Sequence, residues 1–217
     1  MPTLQAAIFD LDGTLLDTLD DLADSANEAL AAAGLPVHPV DAYRTFVGDG
    51  IQTLVRRIVP AAGAEEKVAE VLALYRAAYG RRWNLKTRPY NGVPEMLSTL
   101  TALSLPMAVL SNKPQKFTEL CMAHHLPGFS FTPVLGQRDE VPRKPHPEAA
   151  HEIAGALRLA PENIAFIGDT KTDMDTATAA GMVAVGVTWG FRPVEELRTH
   201  GARVIVDHPA ELPALFA

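Results

Sequence analysis

An α/β fold, with a parallel-sheet core interrupted after its first strand by a small all-helical insert, is what this 217-residue sequence predicts. Three observations carry the prediction. From residue 89 onward, short apolar runs of strand length alternate with segments of helical spacing, the pattern of parallel strands covered on both faces by helices. One more apolar run of strand length stands alone near the N-terminus. Between the two, residues 18–86 carry helical spacing and no convincing strand.

Residues 4–9 open the chain as a short apolar run with the length of a buried strand. Residues 18–33 place Leu19, Leu22, Ala23, Ala26 and Leu30 on one helical face, and Gly34 closes the helix. Helical spacing returns at 51–59 through Ile51, Leu54, Val55 and Ile58, and again at 65–83, rich in Ala, Leu and Glu. The second half then reads helix 93–103, strand 105–110, helix 114–125, strand 131–135, helix 146–157, strand 163–167, helix 172–180 and strand 182–187. A helix at 193–200, a strand at 203–206 and a short helix at 209–216 complete it.

Composition narrows the function. Nineteen basic against 26 acidic residues give a net charge of −7, which lacks the basic balance that nucleic-acid binding needs. The two Arg doublets, Arg56-Arg57 and Arg81-Arg82, sit in helical patterns and read as solvated faces. Hydrophobic residues make up 47% of the chain, an ordinary globular share. Cys121 is the sole cysteine, so neither an internal disulfide nor a multi-cysteine metal site can form. Residues 1–9 lack Lys and Arg and do not read as a signal peptide. The uncharged stretch 176–191, sixteen residues broken by three glycines, falls short of the roughly 20 apolar residues of a membrane span. A cytoplasmic protein without nucleic-acid or membrane partners, monomeric or homodimeric, is therefore expected.

In open α/β sheets, ligands gather at the carboxyl ends of the strands. Residues 4–9 lead into Asp10-Leu11-Asp12-Gly13-Thr14, residues 105–110 into Ser111-Asn112-Lys113-Pro114, and residues 163–167 into Gly168-Asp169-Thr170 with Asp173 one helical turn later. Arg143-Lys144-Pro145-His146-Pro147 lies between the last two. Each piece alone has a plain structural explanation. Ser111, Asn112 and Asp169 suit helix caps, Asp12-Gly13 a turn, Lys144-Pro145 a surface turn, and Asp173 the first turn of a helix. Together they bring Asp10, Asp12, Ser111 and Asp169 to one edge of one sheet, with Lys144 in reach. Carboxylates gathered so closely repel unless a cation joins them, and hard oxygen donors suit Mg²⁺. Mg²⁺, a lysine and a hydroxyl in one place suit a phosphate group.

The segment Asp10-Leu11-Asp12-Gly13-Thr14 resembles the first motif of the haloacid dehalogenase superfamily. Ser111, Lys144 and Gly168-Asp169 with Asp173 resemble its second, third and fourth motifs, in that order. Val47-Gly48-Asp49-Gly50, Ser111-Asn112-Lys113-Pro114, Lys144-Pro145-His146-Pro147 and Val187-Thr188-Trp189-Gly190-Phe191 are similar to the phosphoglycolate phosphatase-like group within it. The resemblance implies a Rossmann-like core over residues 1–16 and 88–217, with a helical cap at 17–87. It implies a Mg²⁺-dependent phosphatase for a small phosphoester, most simply 2-phosphoglycolate. Asp10 is then the nucleophile and Asp12 the acid and base. Mg²⁺ is held by Asp10, Asp169 and the Asp12 carbonyl, with Asp173 acting through a bound water or from behind these ligands. Ser111, Asn112, Lys144, Gly13 and Thr14 bind phosphate, and Arg44, Thr45, Gly48 and Asp49 of the cap read the substrate. A pyrophosphatase, a sugar phosphatase or a phosphomutase of the same fold shares these residues, and a silent phosphometabolite-binding domain is the rival outside catalysis.

Other motifs fail. Gly48 and Gly50 lack the third glycine of a dinucleotide fingerprint, and the chain has no Gly-Lys pair for a P-loop. No Gly-x-Ser-x-Gly is present. His124 and His125 are adjacent on a helix and point apart, which suits the surface. Cys121 shares a face with Phe117 and is expected in the core. His146 is read either as a support for the Lys144 loop or as a turn residue.

Overall fold

The computed structural model describes residues 3–60 and 65–217, so the start of the run 1–9 lies outside the described residues. Two compact units divide the chain. One comprises Met1–Leu16 and Pro89–Ala217, the other Asp17–Arg88.

The first unit is built on six strands: β1 (Ala6–Phe9), β4 (Met107–Pro114), β5 (Val134–Gln137), β6 (Ile164–Gly168), β7 (Val183–Val187) and β8 (Val204–Val206). Their order is β5-β4-β1-β6-β7-β8 and every pairing is parallel. Strands β1, β6 and β7 are buried along their whole length, as strands covered on both faces must be. Helices α5 (Val93–Ala102), α6 (Gln115–His125), α7 (Glu148–Leu157), α8 (Lys171–Ala179) and α9 (Val194–Thr199) connect them. Ile8, Ala108, Ile153, Phe166, Met174 and Leu197 belong to one buried apolar cluster of this unit.

The chain winds from β1 through β4 to β5 on one side, then crosses back to β6 on the other side of β1, which makes the end of β1 the place where the winding reverses. Phe9 pairs with Val109 and with Ile167, so β1 and β6 finish nearly level, beside Leu110 of the longer β4. That register brings the segments after residues 9, 110 and 168 to one edge.

The second unit carries α1 (Leu19–Ala32), α2 (Tyr43–Phe46), α3 (Ile51–Ile58) and α4 (Glu65–Arg82). Two-residue strands β2 (Leu16–Asp17) and β3 (Arg88–Pro89) pair where the chain crosses between the units. Gly34 ends α1 with a positive φ of 70°, and the Leu35 N–H donates to the Leu30 carbonyl, a left-handed helix stop. Both Arg doublets hold ion pairs on helix surfaces: Arg56 with Glu65, Arg57 with Asp49, and Arg81 and Arg82 with Glu28. Asp21 is the buried acid of this unit, accepting from the Lys86 and Thr87 N–H groups and the Thr87 hydroxyl. No described helix is long and apolar enough to cross a membrane.

Several expected boundaries move. The strand expected at 105–110 begins at Met107 and runs on to Pro114, so Ser111-Asn112-Lys113 extend a strand instead of capping a helix. Its register with β5 shifts between Leu110 and Pro114. The strand expected at 131–135 begins at Val134, after a proline that has no N–H to give the ladder. The terminal helix at 209–216 is a 3₁₀ turn containing Pro213. Cys121 is fully buried and His124 exposed, as expected, whereas His125 is half-buried and its ring lies edge-to-face with that of His124, centroids 4.7 Å apart.

Candidate active site

Strand β1 delivers Asp10 directly. Its N–H donates to the Ile167 carbonyl at 2.9 Å, which continues the ladder one residue beyond the strand. The backbone then folds back, with the Leu11 carbonyl accepting from the N–H groups of Leu15 and Leu16. Gly13 sits in this turn at φ 93°, where any Cβ is strained. A Cβ there would also stand 2.3 Å from Oδ2 of Asp169. Gly13 is thus required by both its conformation and its neighbour.

Asp169 is fully buried after β6 and is held from two sides. The Thr14 hydroxyl donates to its Oδ1 at 3.1 Å, and the Phe191 N–H donates to its Oδ2 at 2.7 Å. Gly190 lets that loop approach, since a Cβ there would lie 2.2 Å from the Asp169 Cβ. The Trp189 indole N–H donates to the Thr14 carbonyl at 3.0 Å, tying the same loop to the turn after Asp10. Asp169 is not the helix cap: Thr170 takes that place at the start of α8, forming a capping box with Asp173. Oδ2 of Asp173 accepts from the Thr170 N–H at 3.0 Å and hydroxyl at 2.7 Å, leaving Oδ1 for the site.

Lys144 fills the centre. Its side chain is 2% exposed, and Nζ donates to Asp10 Oδ1 at 2.8 Å, Asp173 Oδ1 at 2.7 Å and the Leu110 carbonyl at 2.9 Å. The Asn112 amide donates to the Lys144 carbonyl at 3.1 Å, which supports the lysine loop. Ser111 is buried at the end of β4, its Oγ accepting from the Lys113 N–H at 3.3 Å. His146 is exposed and serves the turn, accepting weakly from the Glu148 N–H at 3.4 Å.

Asp10, Asp169 and Asp173 offer carboxylate oxygens that all lie within 4.8 Å of one another. Burial pushes the Asp10 carboxyl up to about 7 against the pull of Lys144, with Asp173 and Asp12 adding to the rise. Burial, then Asp173 and Asp10, lifts Asp169 well above the usual carboxylate range, opposed by the Phe191 N–H and Thr14 hydroxyl. Burial also works against the charge of Lys144, but Asp10 and Asp173 outweigh it and hold the ammonium protonated. Three carboxylates around one ammonium still lack positive charge. A hard divalent cation supplies it, so the residues present fit Mg²⁺.

The Asp12 carboxylate does not join this group. Both its oxygens accept from Nζ of Lys113 at 2.7 Å. Sequence reasoning missed that partner. In the helical unit, Arg44 lies 3.7 Å from Asp41, the Thr45 hydroxyl donates to the Ala42 carbonyl at 2.8 Å, and Asp49 pairs with Arg57 at 2.5 Å. Gly48 and Gly50 both take positive φ in the turn before α3.

Gly13→Ala is expected to displace the Asp169 carboxylate and lower turnover by about 10²-fold, the scale of an ångström-sized misplacement. Gly155→Ala, at a helical position with open space around it, serves as the control and keeps its rate. Steady-state phosphate release on both variants checks this, and an unimpaired Gly13→Ala would contradict the geometry.

A family model described as haloacid dehalogenase-like hydrolase matches residues 7–187. Phosphoglycolate phosphatase of Pectobacterium atrosepticum is 30% identical over 219 residues, covering 100% of this chain and 94% of the relative. The Haemophilus influenzae (strain 86-028NP) phosphoglycolate phosphatase is 34% identical, covering 84% of this chain and 85% of the relative. A crystal structure from Lactobacillus delbrueckii subsp. bulgaricus, assigned as a phosphoglycolate phosphatase, superposes with a TM-score of 0.93 at 31% identity, covering 99% of this chain and 98% of that one. With the family match spanning both motif-bearing halves and the likeness running the full length, the chain belongs to the haloacid dehalogenase-like hydrolase family, in its phosphoglycolate phosphatase-like group.

Proposed function

We propose that this phosphomonoester hydrolase acts on a small phosphoester, foremost 2-phosphoglycolate, through a phosphoaspartate formed on Asp10. The observation that carries the reading is the division of labour at the end of β1. Asp10 is buried among Lys144, Asp169 and Asp173, while Asp12, two residues on, stands outside that group on a lysine of its own.

The chemistry follows from that division. An Asp10 oxygen bonds to phosphorus as the bond from phosphorus to the ester oxygen breaks, and Asp12 gives that oxygen its proton. Asp12 then takes a proton from water as the water oxygen bonds to phosphorus. The bond from phosphorus to Asp10 breaks, which releases phosphate and restores both carboxyl groups. Lys144 and the Ser111 hydroxyl neutralise and orient the phosphoryl oxygens. Mg²⁺, held by Asp10, Asp169 and the Asp12 carbonyl with Asp173 behind them, supplies further charge neutralisation when bound. Arg44, Thr45, Gly48 and Asp49 are the helical unit's proposed substrate-reading residues.

A phosphate-release panel of 2-phosphoglycolate, a sugar phosphate, a nucleoside monophosphate and pyrophosphate tests the reading. The highest kcat/KM is expected for 2-phosphoglycolate. Tenfold preference for another member moves the substrate assignment, and release from none defeats the activity.

Metal addition gives an independent readout. Asp10 sits near 7 in the folded chain against 3.8 for an ordinary aspartate. Between those values the folded state keeps a proton that the unfolded state has lost. Without metal, this group's contribution to stability therefore falls as pH rises through that window. At one fixed concentration, about 100 times the Kd at about pH 8, Mg²⁺ is expected to raise Tm by roughly 5–10 °C at that pH and by less at about pH 5. An equal shift in Asp169→Asn would place the ion elsewhere.

A further inference from the structure

The two acids of the first motif each have their own buried lysine. Lys144 serves Asp10 and Asp173, and Lys113 serves Asp12. The Lys113 side chain is 2% exposed, so its ammonium has been taken out of water and needs a charged partner close by. Its Nζ stands 2.7 Å from both oxygens of Asp12, so the two oxygens share one ammonium and the carboxylate is held at both ends.

The backbone that carries Lys113 is also fixed. The register of β4 against β5 shifts between Leu110 and Pro114, which re-aims the side chains of the strand's end. The Lys113 carbonyl accepts from the Thr118 hydroxyl at 3.1 Å, and its N–H donates to Ser111 Oγ at 3.3 Å. Lys113 therefore reaches Asp12 from a strand end clamped by its own neighbours.

We propose that Lys113 is a positioning residue for the proton transfers of Asp12, holding its carboxylate in one orientation and apart from the Asp10, Asp169 and Asp173 group. The proposal rests on the phosphatase reading above and deepens it. When Asp12 has given its proton to the leaving oxygen, the carboxylate that remains meets an ammonium already in place. It is thus kept for the water that follows and does not turn toward the cation site.

The test separates positioning from bulk structure by the leaving group. An alkoxide leaving from 2-phosphoglycolate needs its proton, whereas p-nitrophenolate leaves without one. In Lys113→Met, kcat/KM is expected to fall by about 10²-fold on 2-phosphoglycolate and by at least about tenfold less on p-nitrophenyl phosphate. Lys113→Arg, which keeps the charge and folds where Met does not, is expected to recover most of the loss. In an Asp12→Asn background, adding Lys113→Met is expected to cost less than about twofold, because the group it positions is already gone. Equal losses on both substrates, or a full additional loss in the Asp12→Asn background, overturn the proposal. Asp12→Asn distinguishes the two levels: if it retains wild-type kcat/KM on 2-phosphoglycolate, the role of Asp12 itself has failed.

Discussion

Asp10→Asn is expected to abolish turnover, by 10⁴- to 10⁶-fold on the order of other nucleophile deletions, while leaving a folded and more stable metal-free protein. The loss follows because an amide oxygen cannot form the phosphoaspartate and give back a carboxylate. The gain follows from the electrostatics. Asp10 is buried beside Asp173 and near Asp169, and burial lifts its carboxyl to about 7. Removing one acid from a group that has one ammonium relieves repulsion that grows as pH rises through that value. Metal-free Tm of the variant should exceed that of the parent by a wider margin at about pH 8 than at about pH 5. The Mg²⁺-induced rise in Tm should shrink, since one oxygen donor has lost its charge. Asp175→Asn, which alters a surface pair with His200, is the control and keeps full activity. An Asp10→Asn protein retaining a tenth of the parental rate would remove Asp10 from the nucleophile's place.

The legible part of the site was the part where residue type and position carry the chemistry together. An acidic pair directly after a buried apolar strand, a hydroxyl after a second strand and an acid after a third are visible as letters, and the parallel sheet levels them. Lys113 was not legible because its meaning is a contact between residues 101 positions apart, made from a strand that was expected to end before it. In the sequence, Ser111-Asn112-Lys113-Pro114 looks like the approach to a helix. The structure lengthens β4 through it, with an altered register against β5, and buries the lysine there. The clamp on Asp169 was hidden for a different reason. The Phe191 N–H is a backbone donor, and every residue but proline has one. Only Gly190 marks it, by the space a Cβ would take. The support that the Asn112 amide gives the lysine loop is likewise a contact across 32 positions, which no spacing in the sequence marks. In the helical unit, α2 spans only four residues, too few to show a period, so the turn that holds Gly48 and Asp49 had no frame in the sequence.

Lys144→Met is expected to cost more than any other single change to stability and to activity together. The ammonium is buried, and all three of its donors are used, on two carboxylates and the Leu110 carbonyl. Methionine keeps most of the volume and none of the donors. Breaking a buried ion pair from one side costs about 3–5 kcal/mol, because the partners stay behind without compensation. Here the partners are Asp10 and Asp173 with Asp169 alongside, so the penalty takes the form of repulsion among acids. Asp10 and Asp169, whose carboxyl groups burial already lifts, can escape by taking up protons, and they do so more readily as pH falls. The destabilisation measured by denaturant unfolding should therefore be smaller at about pH 5 and larger at about pH 8, the opposite of a cavity effect, which has no reason to follow pH. Mg²⁺ should restore part of the stability by supplying the missing positive charge, but not the rate. The lysine also holds the Asp10 oxygen in place, and in the proposed mechanism its charge serves the phosphoryl oxygens, where removing one such donor costs about 10²- to 10³-fold in kcat. Lys144→Arg tests the geometry separately. It keeps the charge but presents a flat fork to three acceptors grouped around a point, so stability should recover further than turnover. A Lys144→Met protein whose loss of stability is the same at both pH values would mean that the three acids are not held ionised against one another, and the electrostatic basis of the cation site would go with it.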